Sequence, residues 1–190
     1  MNARFFNALD SKIQNIWSAL GQTGPEFVLV GGTAIAYQLG HRVSYDIELS
    51  SSKPIGHPRM LRRKWNCQEV GQHKVLRRNP DNYVKFFPTA SAPKIDVHGK
   101  LMARGCLELP SIADNGLRIA SLTDLLAQKL MAMTERDAQR DAFDVTALIR
   151  DGRAELELAI SAACDETGYG LGEDCADRLG LKLLDTEVMP

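Results

Sequence analysis

Asp46 and Glu48 stand two residues apart in the run Tyr45-Asp46-Ile47-Glu48-Leu49. In an extended chain residues i and i+2 point the same way, so the two carboxylates project together while Ile47 and Leu49 turn to the core. Side by side, two carboxylates repel and desolvate each other unless a cation lies between them. A hard divalent ion such as Mg2+, held by one or two carboxylates together with substrate phosphates, suits that arrangement. Just upstream, Gly31 and Gly32 end the apolar run Val28-Leu29-Val30. Glycines there let the backbone turn sharply and let a bulky group approach its N–H groups. Thr33 is placed to cap a short helix and Gly40 to end it, and a helix N-terminus behind a glycine turn is a site for phosphate. Taken singly, paired acids are a solvated strand face and a Gly-Gly pair is a turn. Strand, glycine turn, helix and acidic strand in succession read as a phosphate and metal site.

A third carboxylate is available in Lys94-Ile95-Asp96-Val97-His98, where Ile95 and Val97 alternate with polar residues. If this strand pairs near the Asp46 strand, Asp96 converges on the same cation; otherwise it is one acid on a half-exposed strand. His98 could serve as ligand or base, although a lone histidine is more often structural, and it stays outside the main set. Further on, a helix over Leu122–Met133 buries Leu122, Leu125, Leu126, Leu130 and Met133 and presents Lys129 elsewhere. A second helix spans about Asp137 to Arg150. Were the two nearly continuous, Arg136 and Arg140 would fall within about 20° of Lys129 and form a basic stripe.

The elements that must position these residues are legible in outline. An amphipathic helix is expected over Ala3–Leu20, closed by Gly21, with Thr23-Gly24-Pro25 turning the chain into the first strand. Pro58 opens a helix reaching about Trp65. Segments His73–Arg77, Tyr83–Phe87 and Lys94–His98 read as strands, the first two an antiparallel pair about the Asn79-Pro80-Asp81-Asn82 turn. Leu117–Ala120 is a last short strand, and Ser121-Leu122-Thr123-Asp124 starts a helix in capping-box fashion. A further helix follows Ala154, then a glycine-rich link at 168–172 and a short final helix from about Glu173 to Leu184.

With 190 residues, 44% of them hydrophobic and 25% charged, the chain is long enough to bury a substantial core and has the composition of a soluble globular protein. No apolar run is membrane-length, the N-terminal stretch is not a signal peptide, and no partner membrane is expected. Four scattered cysteines form no Cys-x-x-Cys pair, which suits a reducing cytoplasm. The net charge of −1 conceals an asymmetry. Lys53, Arg59, Arg62, Arg63, Lys64, Lys74, Arg77, Arg78 and Lys85 face only Glu69 and Asp81 in their stretch, whereas acids dominate after Arg150. A basic middle suits a polyanionic partner, or equally a solvated face neutralised by the acidic tail. A P-loop NTPase is excluded, because no Gly-Lys-Ser/Thr follows the glycines.

The string Val30-Gly31-Gly32-Thr33-Ala34 … Gly40-His41-Arg42-Val43-Ser44-Tyr45-Asp46-Ile47-Glu48 resembles the first motif of the polymerase-beta-like nucleotidyltransferase superfamily, and most of all its AbiEii/AbiGii-type toxins. That group usually has Asp where this chain has Glu48. Asp124-Leu125-Leu126-Ala127-Gln128-Lys129, Arg136 and Arg140-Asp141-Ala142-Phe143-Asp144 are similar to the later motifs, so the likeness covers roughly residues 26–150. It implies an α+β nucleotidyltransferase fold: a mixed, mainly antiparallel sheet flanked by helices, with a C-terminal helical part. The catalytic core, including the N-terminal packing helix, would be 1–150, and 151–190 an acidic helical extension of the same domain. It implies that Asp46, Glu48 and Asp96 hold two Mg2+ ions (Mn2+ as a substitute) about 3.5–4 Å apart. Gly31, Gly32 and Thr33 would cradle the triphosphate of an NTP, with Arg42 and Ser44 near the same phosphates. Lys129 would hold phosphate or transition-state charge, with Asp141 or Asp144 orienting it or acting as base. The implied acceptor is RNA in the form of tRNA, and the implied partner a cognate antitoxin. Transfer to a small hydroxylated molecule and a non-catalytic binding module of the same fold are the alternatives.

Overall fold

The computed structural model describes residues 6–55, 61, 76–79, 83–86, 93–99, 105–135 and 139–167. The chain divides into two compact units, Met1–Leu101 with Leu109–Ala120, and Met102–Glu108 with Ser121–Pro190. The break at Ala120–Ser121 groups all the described strands in the first unit and the last three described helices in the second.

The first unit is built on a seven-stranded sheet in the order β3-β4-β5-β2-β1-β7-β6. Its strands are β1 (Phe27–Val30), β2 (Asp46–Ser51), β3 (Leu76–Asn79), β4 (Tyr83–Phe86), β5 (Lys94–Gly99), β6 (Ser111–Ile112) and β7 (Arg118–Ile119). Four neighbouring pairs are antiparallel; β1 with β7 and β2 with β5 are parallel. The fold is therefore the mixed, mainly antiparallel α+β architecture expected. Parallel neighbours need a crossover, so β2 and β5, though adjacent in space, are separated in sequence by the β3–β4 hairpin. In β2 the alternation is complete: Ile47, Leu49 and Ser51 are buried, while Asp46, Glu48 and Ser50 are half-buried. Leu29, Ile35, Ile47, Leu49, Ile95 and Ile119 lie at the centre of the core.

Helix α1 spans Ser11–Gly21 and inserts Ile13, Trp17 and Leu20 into that core. It starts later than the apolar periodicity suggested. Asp10 is the cap, its Oδ1 accepting the Lys12 N–H at 2.9 Å, and Leu9 is drawn into a bridge with Ser44. The capping carboxylate satisfies an end donor, and the backbone before it pairs with another segment. Residues 1–5 of the expected helix lie outside the described residues.

Helix α2 (Gly31–Leu39) follows β1 with no intervening loop. Thr33 does not cap it. Val30 is the cap residue and makes no side-chain cap bond, because the helix begins two residues before Thr33, at Gly31. Gly40 does end it, in the left-handed conformation (φ 65°), with its N–H on the Ala36 carbonyl.

In the second unit, α3 (Leu122–Glu135), α4 (Gln139–Asp151) and α5 (Leu156–Thr167) pack together, with Leu125, Leu126, Val145, Leu148 and Ala159 fully buried. Ser121 caps α3, its Oγ accepting the Asp124 N–H at 3.0 Å. The return arm of the box goes elsewhere. The Asp124 carboxylate accepts from the Ser121 hydroxyl and from the N–H groups of Leu107 (2.7 Å) and Glu108 (3.2 Å). Among the described residues, no helix is long and apolar enough to cross a membrane. The expected helix from Pro58 to about Trp65 (Leu61 apart), the glycine-rich link and the final helix lie outside the described residues.

Candidate active site

The parallel pairing of β2 with β5 decides the site. Its register sets Asp46 against Lys94 and Glu48 against Asp96, so the third acid singled out in the sequence stands directly beside the second. Asp96 is only 6% exposed. A carboxylate that deep must be paired, and both of its oxygens are. The Tyr83 hydroxyl donates to Oδ1 at 3.0 Å, and the Lys94 ammonium lies 3.1 Å from Oδ2. Lys94 also lies 3.1 Å from Oδ2 of Asp46. One ammonium thus bridges two of the three acids.

The electrostatics follow. Burial works against the charged form of Lys94, but hydrogen bonds to Asp46 and Asp96 outweigh it and hold the ammonium above its ordinary range. Burial, and then the hydrogen bond to Asp96, push the Tyr83 phenol up to about 12, so it remains a donor at neutral pH. His98, whose ring packs at a 46° tilt against Tyr83 with centroids 4.9 Å apart, is pulled down by burial against the opposing pull of Glu48 and Asp96.

Gly31 meets this group from the other side of β2. Its φ is +66°, which favours glycine, and a Cβ there would displace the Glu48 carboxylate from its present place. Val30 pairs with Glu48 across β1 and β2. The Glu48 carboxylate therefore lies against the first residue of α2, where the helix dipole favours negative charge.

Thr33 and Ser44, expected at the phosphates, are buried and used internally. Their hydroxyls share a 2.7 Å hydrogen bond, and Thr33 also donates to the Asp46 carbonyl. They pin α2 to the start of β2 and so orient Asp46. The Ser44 backbone is held in turn by Ala8 and Asp10. Gly32 lies within α2, and Arg42 donates to the Val43 carbonyl at 3.1 Å.

Lys129 belongs to the second unit and is buried there, not exposed on a stripe. Its ammonium lies 2.7 Å from Asp141 Oδ1 and 2.8 Å from Asp144 Oδ2. Arg140 is exposed, while Arg136 lies outside the described residues. Burial separates Lys129 from Arg140, so the expected basic stripe does not form between them. Most of the basic stretch 53–85 also lies outside the described residues.

Sequence reasoning missed Lys94 and Tyr83. The signal for Lys94 was present, since it precedes Asp96 by two residues and so shares its face. Tyr83 reaches Asp96 only through the β4–β5 register, which no local pattern announces.

Hard carboxylate oxygens on adjacent strands are the donor chemistry of Mg2+ or Mn2+. The Lys94 ammonium stands where a cation between Asp46 and Asp96 would stand, so these two acids are placed to share such an ion. Among the described residues, no group of three or more His, Cys, Asp or Glu side chains is drawn together as a metal cluster.

A family model described as the nucleotidyl transferase AbiEii toxin of type IV toxin–antitoxin systems matches residues 16–184. Two solved structures from Helicobacter pylori share the fold. A candidate nucleotidyltransferase superposes with a TM-score of 0.57 at 17% identity, covering 98% of each chain. JHP933 superposes with a TM-score of 0.54 at 17% identity, covering 98% of this chain and 95% of its own. No curated protein matches the sequence.

Proposed function

This chain belongs to the AbiEii nucleotidyl transferase toxin family of type IV toxin–antitoxin systems, and from that premise we propose that it transfers a nucleoside monophosphate from an NTP to a hydroxyl of RNA, with tRNA as the acceptor. The observation that carries the reading is the parallel register of β2 with β5, which sets Glu48 beside Asp96, next to the glycine-initiated helix α2.

In the reaction the acceptor oxygen forms a bond to the α-phosphorus, the bond from that phosphorus to the bridging oxygen breaks, and pyrophosphate leaves. Asp46, Glu48 and Asp96 would hold two divalent ions, Mg2+ or Mn2+, which when bound supply Lewis-acid charge and lower the pKa of the acceptor hydroxyl. The protein's own part is to fix the acids. Tyr83 holds one oxygen of Asp96, Thr33 ties α2 to the backbone of Asp46, and Gly31 leaves room for Glu48. The glycine-started N-terminus of α2 suits the triphosphate, because the N–H groups of a first helical turn face negative charge. Lys129 keeps the phosphate-charge role that the family likeness implies; its ammonium is paired with Asp141 and Asp144, and engaging a phosphate would mean loosening those pairs. A cognate antitoxin restrains the activity in this reading, and the cytoplasm, where NTPs and tRNA are found, is its location.

The test is a transfer assay with purified protein, Mg2+, each labelled NTP in turn and total tRNA, beside the Asp46→Ala variant. Label on RNA with the wild-type chain alone is the expected result. A nucleotide-dependent thermal shift without labelled RNA would redirect the reading to a small hydroxylated acceptor. Neither label nor shift would leave a binding module.

A further inference from the structure

Lys94 is a cation placed where the site's chemistry calls for one. Its ammonium is 3.1 Å from Asp46 and 3.1 Å from Asp96, it is only 26% exposed, and its strand position lies directly across from Asp46. Three acids on neighbouring strands would repel strongly without it. We infer that Lys94 is an internal placeholder for the divalent ion: it holds Asp46 and Asp96 together in the metal-free chain and must leave at least one of them when metal enters. This rests on the proposed metal-dependent function and deepens it.

Two consequences follow from the geometry. A metal ion cannot use the paired oxygens of Asp46 and Asp96 while the ammonium lies between them, because two cations at one position repel. Binding of metal alone is therefore weakened by the fraction of molecules that are ion-paired. The lysine side chain is long and flexible, so it can swing aside without moving β5, and a triphosphate arriving with the metal offers its ammonium a new anion. Lys94 thereby couples metal entry to nucleotide entry and keeps the metal-free site in a charge-balanced resting form. Tyr83 complements it. By holding the other oxygen of Asp96, it keeps that carboxylate in place when the ammonium departs.

The test is direct binding of Mn2+ in the absence of nucleotide, read from the free-ion electron paramagnetic resonance signal, on the full chain and its Lys94→Met and Lys94→Arg variants. Removing the competitor should tighten Mn2+ binding about ten-fold in the Met variant, as expected where roughly nine molecules in ten are ion-paired. The Arg variant, which keeps the charge, should stay near wild type. Equal or weaker binding by a folded Met variant, with transfer activity in the wild-type chain intact, would overturn the placeholder and leave the proposed function standing. Absence of Mn2+ binding by every form, with or without NTP, would overturn both. Should the Met variant fail to fold, amine-selective acylation of the wild-type chain decides. Modification of Lys94, followed by mass spectrometry, should rise several-fold on adding saturating Mn2+ without nucleotide, and an unchanged yield would overturn the inference.

Discussion

At Gly31 the absence of a side chain leaves the Glu48 carboxylate its place. The residue has φ +66° and its missing Cβ is replaced by the Glu48 carboxylate. Gly31→Ala should cost about 1–2 kcal/mol from the left-handed backbone alone, measurable as a lowered urea midpoint. It should cost more in activity, because Glu48 has to move; a displacement of about 1 Å commonly lowers rate by about 10²-fold. Gly32→Ala, inside the helix, should be mild in both measurements. Tyr83 gives a prediction in pH. Burial first, and then the hydrogen bond to Asp96, raises its folded pKa to about 12 from 10.0, so the buried, hydrogen-bonded phenol contributes stability that is fully present below pH 10.0 and is lost as pH rises through about 12. Tyr83→Phe should therefore be less stable than wild type at neutral pH, with the gap closing over that alkaline window, as followed by denaturant midpoints at each pH. These residue-level facts were unevenly legible. The glycine pair and the alternation of Asp46 with Glu48 announce themselves, since both are local rules of backbone and pleat. That Gly31 makes room for Glu48 does not, because it depends on how β1 registers with β2.

Among the elements, local physics and pairing part company. The alternation in β2, the αL glycine after α2 and the Ser121 cap of α3 could all be read from a few adjacent residues, and the fold uses them as read. The start of α1 could not be placed, because the apolar period continues through Leu9 while Asp10 and the bridge to Ser44 interrupt the helix. The burial of Lys129 was equally hidden. Its partners Asp141 and Asp144 lie one helix later, and only the packing of α4 on α3 brings them to it. That packing gives the lysine a structural role. Lys129→Met leaves two buried carboxylates without this cation, a change that typically costs about 3–5 kcal/mol. The variant should show a lowered thermal midpoint by far-UV circular dichroism, and loss of activity in it cannot be read as catalytic until that is measured. Lys129→Arg, which preserves charge, is the variant to compare. Ser121→Ala offers a smaller, cleaner effect of about 1 kcal/mol from the lost α3 cap.

For the whole molecule, the division into two units supplies the means to test where nucleotide and metal act. Both tryptophans, Trp17 and Trp65, fall within the first unit's stretch of sequence, while three of the longest described helices, α3, α4 and α5, belong to the second. Tryptophan fluorescence therefore follows the first unit on heating, and ellipticity at the helical wavelength is weighted to the second. A ligand at about 100 times its dissociation constant stabilises what it binds by about 2.7 kcal/mol. For a chain of this length that corresponds to a rise of roughly 5–10 °C. With Mg2+ and the preferred NTP, the fluorescence transition of the wild-type chain should rise by that amount, and Asp46→Ala should show no rise. If the three acids of β2 and β5 are the metal ligands, Asp96→Asn should behave like Asp46→Ala, although its mutation lies in a different strand. A rise in fluorescence midpoint that survives both substitutions would mean that the nucleotide is held away from the acids, and the β2–β5 register would then be architecture without the chemistry proposed for it.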